Sequence, residues 1–289
     1  MTGIPECLPP VRDTRRASLE VPKGSVDSHT HVFVDGYPLI PERGYTPPES
    51  NLDHMLEMHD ALGIERVVLT QPSAYGIDNS AILDAVARIP DRARAVVAIG
   101  SDVSDGELSE LDDRGARGIR LNLDNAGGMP VELDEVPQLA RRVGAMGWHL
   151  EFLFQGAQLP GLLSLIRSLE VPVSIGHFGY MPAKEGVDHP PFRALLELVS
   201  EGNTWVKLSA PNRLGVGDLP PWPSVIPLAK ALIEANPERM LWGTDWPHPN
   251  KFEVQPNDAD LLEQLALWAP DGVTRSRILV TNPEALYGF

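Results

Sequence analysis

His29 and His31 stand one residue apart in VDSHTHVF (residues 26–33), an apolar run with strand character. Side chains alternate faces along a strand, so Asp27, His29 and His31 point the same way. Two imidazoles on one buried face bring donors and acceptors that must all find partners. A metal ion, a water molecule or an oxyanion would provide them. A hydrogen-bonded structural pair would satisfy the same rings, so the doublet by itself leaves the chemistry open.

The doublet's neighbours come from the elements that carry it. Short β-branched runs recur at 24–32, 64–71, 94–100, 117–123, 148–154, 171–177, 203–210 and 238–245. Between and after them lie segments of helical spacing near 50–62, 78–89, 104–115, 134–146, 158–169, 190–201, 222–236 and 257–269, opened by Asp, Ser or Pro and closed by Gly. In 134–146, Val136, Leu139, Ala140 and Val143 make one apolar stripe, with Gly144 and Gly147 near its end. Apolar strands alternating with helices predict an α/β chain folded as one closed parallel (β/α)8 barrel, the TIM-barrel architecture, over residues 24–289. A doubly wound open sheet is the runner-up, and the absence of a Gly-rich phosphate loop after the first strand disfavours it. Residues 1–23, rich in proline and charge, read as a leader that is mobile or straps the barrel bottom.

Function in such a barrel collects at the C-terminal ends of the strands. Those ends carry His29 and His31, Gln71 with nearby Tyr75, Arg120 and Asn122, His177, Lys207 and Ser209, and Asp245. Polar groups thus recur at one mouth, where a barrel built only for stability would place apolar ones. Glu151 lies further back on the fifth strand and faces the interior, so it needs an Arg, a His or a metal beside it. His54, His59 and His189 read as solvated or capping residues, His149 sits at the far end of its strand, and His248 is left open.

Composition sets the outer bounds. The chain has 289 residues, 43% hydrophobic and 22% charged, which is ordinary globular material. A formal net charge of −16 argues against nucleic acid and against an anionic membrane as partners. The expected partner is a small molecule, and the chain itself is expected to be a monomer or small homo-oligomer. With no apolar leader and no run of about 18 apolar residues, the expected location is the cytoplasm. Cys7, the single cysteine, reads as incidental.

VDSHTHVF, IGHFGYMP (175–182) and LWGTDWPHPN (241–250) together resemble the amidohydrolase superfamily, and within it the branch of lactone hydrolases that includes 2-pyrone-4,6-dicarboxylate lactonase. PERGYTPPES (41–50), GIDNSAILDAVAR (76–88), RGARGIRLNL (114–123), KLSAPNRL (207–214) and TNPEALY (281–287) extend the likeness almost from end to end. The resemblance implies attack of water on a lactone carbonyl, with Asp245 as general base. It implies His29, His31, His177 and Arg120 around the reacting carbonyl, and Arg213 on a substrate oxygen. Tyr75, Tyr180, Gln71, Asn122 and Ser209 complete the expected substrate contacts. His29, His31, His177 and Asp245 would hold one divalent metal, zinc before others, if the protein uses any; branches of the superfamily differ on this.

Departures from that branch narrow the substrate. Tyr180 stands where the lactonase has an arginine, Asp124-Asn125-Ala126 replaces a loop with another arginine, and Leu153 replaces a tyrosine. Losing two carboxylate clamps disfavours the pyrone dicarboxylate. A monocarboxylate, a sulfonate or a polyhydroxylated lactone fits better. The alternatives are a metal-dependent, non-oxidative decarboxylase or a sugar-acid lactone isomerase on the same barrel. The decarboxylase usually wants a Glu near the first strand and a fifth-strand histidine at the mouth, and the fifth strand here offers none.

Overall fold

The computed structural model describes residues 3–289. The first half of the chain runs β1 (Val26–Thr30), α1 (Leu52–Leu62), β2 (Arg66–Thr70), α2 (Ser80–Arg88), β3 (Ala93–Val97), α3 (Asp105–Asp113), β4 (Ala116–Asn122) and α4 (Val136–Gly144). The second half runs β5 (His149–Leu153), α5 (Leu159–Ser168), β6 (Val173–Ile175), α6 (Pro190–Ser200), β7 (Thr204–Ser209), α7 (Pro211–Leu214), α8 (Ile226–Ala235), β8 (Met240–Gly243), α9 (Asp258–Trp268), α10 (Gly272–Ser276) and α11 (Asn282–Tyr287). The strands pair in parallel in chain order from β1 to β8. This is the expected (β/α)8 barrel.

The barrel closes on the residues that carry the chemistry. The backbone N–H of Asp245 donates to the carbonyl of His29 at 2.9 Å, and the N–H of His31 donates to Trp246 O at 2.8 Å. Gly243 makes that approach feasible, because a Cβ there would lie 2.8 Å from both N and Cβ of His29. Closing the seam therefore brings the doublet and the carboxylate together in one step.

Helix ends and faces follow from local sequence. Asn51 caps α1 through the N–H of His54, and Gly63, at φ 78°, ends it in the left-handed region. Ser104 and Glu107 form a capping box on α3. In α4 the buried residues are Val136, Leu139, Ala140 and Val143, the stripe read from sequence.

Elements without a sequence signal lie mostly at the C-terminus. A π-helical turn, Arg277–Thr281, joins α10 to α11. Leu286 and Tyr287 then pack under the strands against Val26, Val68, Val96, Trp205 and Leu241 and close the bottom of the barrel. The guanidinium groups of Arg66 and Arg94 each lie 4.9 Å from the Phe289 ring centroid. The described part of the leader bridges Glu6 to Thr46 and Leu8 to Lys251 near the mouth, then meets α9, where Arg15 lies 2.6 Å from Asp260 and 2.8 Å from Glu263. Cys7 is buried in a cluster with Phe33, Tyr45 and Tyr75. Among the described residues, no helix is long and apolar enough to cross a membrane.

Candidate active site

Asp245 follows β8 at φ 67° and His177 follows β6 at φ 49°, both in the left-handed region that non-glycine residues avoid. The seam hydrogen bond holds Asp245 in place, and the compact turn after β6 holds His177. Three imidazole nitrogens surround one carboxylate oxygen as a result. Asp245 Oδ1 lies 3.8 Å from His29 Nε2, 3.6 Å from His31 Nε2 and 3.5 Å from His177 Nε2. Asp245 Oδ2 instead accepts from Arg213, at 2.9 Å from Nε and 2.8 Å from Nη2. One oxygen is neutralised and the other is left for chemistry.

Partners on the far side of each ring decide what its Nε2 presents. His31 Nδ1 meets the carbonyl of Thr70 at 2.7 Å, and a carbonyl only accepts, so Nδ1 carries the hydrogen and Nε2 a lone pair. His177 Nδ1 meets Ser209 Oγ at 2.8 Å. His29 Nδ1 meets Lys207 Nζ at 3.1 Å; burial lowers the Lys207 pKa and Glu151, bonded to the same nitrogen, opposes it, and as an ammonium Lys207 only donates, which places the hydrogen of this ring on Nε2. Glu151 Oε1 lies farther from that Nδ1, at 3.5 Å.

Electrostatics keep the rings neutral and the carboxylates charged. Burial, then the nearby Lys207 charge, hold His29 far below the usual histidine range, and burial takes His177 down to about 3. Burial alone would raise Asp245, but Arg213 and then His177 outweigh it and hold the carboxyl well below its ordinary value. Glu151 pairs closely with Lys207, both fully buried, and Lys207 with Arg120 outweighs the cost of burial so that this carboxyl also sits low. Arg120 donates through Nη1 to the carbonyl of Gln71 at 2.7 Å, while its Nε, without a hydrogen bond, lies 3.9 Å from Glu151 Oε1.

Access is through two connected spaces. A chamber of about 20 Å³, room for one water-sized group, is lined by His31, His177, Asp245, Arg120, Tyr45 and Asn122 among others. It shares Tyr180, Arg213 and Asn250 with an outer cavity of about 560 Å³ that also reaches Asp124, Gln155 and Lys184.

Several expected contacts lie elsewhere. Gln71 spends its side-chain amide on the carbonyls of Gly76 and Asp78, behind the wall, and touches the site through its own carbonyl. The Tyr75 hydroxyl is bound to the backbone of Val34, and the ring packs on Phe33. Ser209 faces His177 rather than the chamber. Asn122 lines the chamber, but its carbonyl oxygen accepts from the backbone of Asp124 and Asn125 and shapes the loop after β4. Gln71 sits at the expected strand end and Tyr75 in the turn after it, but neighbouring backbone takes the Tyr75 hydroxyl and the Gln71 amide nitrogen.

The other histidines also resolve. His248 Nε2 bonds Asp258 at 3.0 Å and ties the loop after β8 to α9. His149 bonds the carbonyl of Arg117 and stacks edge-on to Tyr287, near the closed bottom. His59 corrects the solvated reading: it is 1% exposed and donates to Asp27 Oδ2 at 3.1 Å, because its helical face turns toward the barrel wall.

Sequence reasoning passed over Tyr45 as a chamber wall and Asp27 as a hub, although Asp27 was placed on the same face as the doublet. Asp27 accepts from His29 N, His59 Nε2, Thr244 N and Thr244 Oγ1, joining β1, α1 and the end of β8. Asp27→Ala should therefore strand several buried donors and lower unfolding free energy by about 3 kcal/mol, measured by urea denaturation. A loss under about 1 kcal/mol would remove the hub role.

A metal can be weighed against this donor set. One ligand atom each from His29, His31 and Asp245 lies within 4.8 Å of the other two, a spacing that a single divalent ion can span. His31 Nε2, with its lone pair, and the free oxygen of Asp245 suit zinc. His29 does not suit it, because an Nε2 that carries a hydrogen has no lone pair to give.

The family model described as "Amidohydrolase" matches residues 26–289. The chain is 37% identical to 4-sulfomuconolactone hydrolase of Rhizobium radiobacter, over 99% of this chain and 97% of that one. It is 35% identical to a 2-pyrone-4,6-dicarboxylate hydrolase of Comamonas testosteroni, over 94% and 92%. It is also 32% identical to D-galactarolactone isomerase of Agrobacterium fabrum, over 92% and 91%.

Proposed function

The chain belongs to the amidohydrolase family, and we propose that it is a hydrolase that opens an anionic lactone by attack of water on the ring ester. The observation that carries this reading is the division of labour at Asp245. One oxygen is clamped by Arg213, and the other stands free among three neutral imidazoles beside a water-sized chamber.

The steps follow from the groups present. Water in the chamber gives a hydrogen bond to Asp245 Oδ1 and another to the bare Nε2 of His31, which leaves its oxygen lone pair directed at the lactone carbonyl. As the C–O bond forms, Asp245 takes the proton. Arg120, which lines the chamber, faces the carbonyl oxygen as it gains negative charge. Collapse of the tetrahedral adduct breaks the ring C–O bond, and the leaving oxygen takes the proton back from Asp245. The product is the open-chain hydroxy acid, or its keto tautomer from an enol lactone. No step in this sequence requires a metal.

Charge around the chamber sets the substrate class. The charged residues lining the chamber are Arg120, Arg213 and Asp245, which leaves one positive charge to attract an anion against the acidic field of the whole chain. With the outer cavity reaching Lys184 but lacking the two extra arginines, a lactone bearing one carboxylate or one sulfonate fits better than a dicarboxylate. The relative that acts on sulfomuconolactone supports this choice.

The test is a ring-opening screen over sulfonated and plain muconolactones, sugar-acid lactones and pyrone acids, read by proton release with and without chelator. We expect at least one anionic lactone to be hydrolysed at a rate that chelator leaves unchanged. Products that are isomeric lactones, or an absence of turnover across the panel, would overturn the hydrolytic reading; loss of activity to chelator with recovery on adding zinc would overturn its metal-free form.

A further inference from the structure

Beneath the rings, a lysine and a glutamate are buried together on the barrel axis, where neither touches the proposed substrate. Lys207 on β7 and Glu151 on β5 are both inaccessible to solvent. A buried ion pair stabilises a core little better than apolar side chains of similar volume, so stability is a weak reason for its presence. Its geometry offers a better one. Lys207 Nζ is bonded to Glu151 Oε2, lies 5.8 Å from the centre of the Tyr287 ring below, and is 3.1 Å from Nδ1 of His29 above. The ammonium is fixed on two sides and has a donor left for one acceptor.

We propose that Lys207, held by Glu151, is a positioning residue that locks His29 as the tautomer with hydrogen on Nε2. The two histidines of the strand-1 doublet then face the same carboxylate with opposite polarity. His31, its Nδ1 committed to the Thr70 carbonyl, presents a lone pair; His29 presents an N–H. An oxygen placed between them receives a hydrogen from His29 and gives one each to His31 and Asp245, so a water molecule fits in a single orientation. His29 Nε2 is buried and has no protein partner, as this role requires. The same lock withholds one of the three ligand atoms that a divalent ion would need.

Nitrogen-15 NMR of histidine-labelled protein tests the lock, with the His29 signal assigned by its loss in His29→Asn. The wild-type spectrum should show His29 with an unprotonated Nδ1 and His31 with an unprotonated Nε2. A hydrogen on Nδ1 of His29 would overturn the inference. This spectrum is taken without substrate, so it decides the tautomer whatever the lactone screen returns. The double variant Lys207→Met/Glu151→Leu removes the pair without stranding a charge. In it, His29 should lose its single tautomer and zinc affinity by calorimetry should rise at least about tenfold. On the hydrolytic reading, kcat should also fall about 10–100-fold while KM stays within about twofold. An unchanged His29 spectrum in the folded variant would overturn the inference, as would unchanged zinc affinity. If that variant does not fold, Glu151→Gln, which loosens the ammonium, is read by the same spectrum with the same two outcomes.

Discussion

Asp245→Asn is expected to leave the barrel folded and to lower kcat/KM for lactone opening by about 10³-fold, within the usual range for removing a general base. The asparagine carbonyl can still accept from Arg213, so the clamp at 2.8–2.9 Å and the seam through the backbone of residue 245 should survive. What is lost is the free oxygen among the imidazoles: an amide there cannot take a proton from water. Circular dichroism would show an unchanged fold, and proton release would report the rate. Wild-type turnover in this variant would remove Asp245 from the reaction and, with it, the proposed order of proton transfers.

Arg213→Met should have the next largest effect, and its signature is a pH profile. In the native site burial pushes the Asp245 carboxyl up, while Arg213, the largest opposing influence, and His177 bring it well below its ordinary value. Deleting the guanidinium leaves burial in charge, and the carboxyl should titrate higher. A base works only when ionised, so activity is lost as pH falls through its pKa, and raising that pKa moves the acid limb of the kcat/KM profile upward. Wild type should hold its rate well into the acid range, whereas the variant's acid limb should lie at distinctly higher pH. An acid limb in the same place for both proteins would show that Arg213 does not set the charge of Asp245.

These two effects also mark where reading the chain reached its limit. The repeat of β-branched runs and amphipathic segments is local information, and it located eight strands, the main helices and the mouth at which His29, His31, Arg120, His177 and Asp245 gather. Strand alternation likewise put Asp27 and Glu151 on interior faces. Arg213 was read as a substrate contact on the strength of family resemblance alone. In the fold its guanidinium clamps Asp245, a residue from a different loop, at hydrogen-bond distance. No periodicity carries that information.

Tyr75 and Gln71 show a different limit. They lie at or just past the right strand end, but backbone at Val34, Gly76 and Asp78 takes the Tyr75 hydroxyl and the Gln71 amide nitrogen. His59 looked like a surface residue because helical position was judged without knowing which face would meet Asp27.

Residue order by itself thus determined the barrel, the orientation of its mouth and most of the groups found there, because strand period and helix period are properties of neighbours along the chain. Only the closed tertiary structure decided which groups pair across the axis: Arg213 with Asp245, Lys207 with Glu151 and His29, Thr70 with His31. Those pairings depend on barrel radius, strand register and the turn that each loop adopts, and they set the charge and tautomer of every group in the site.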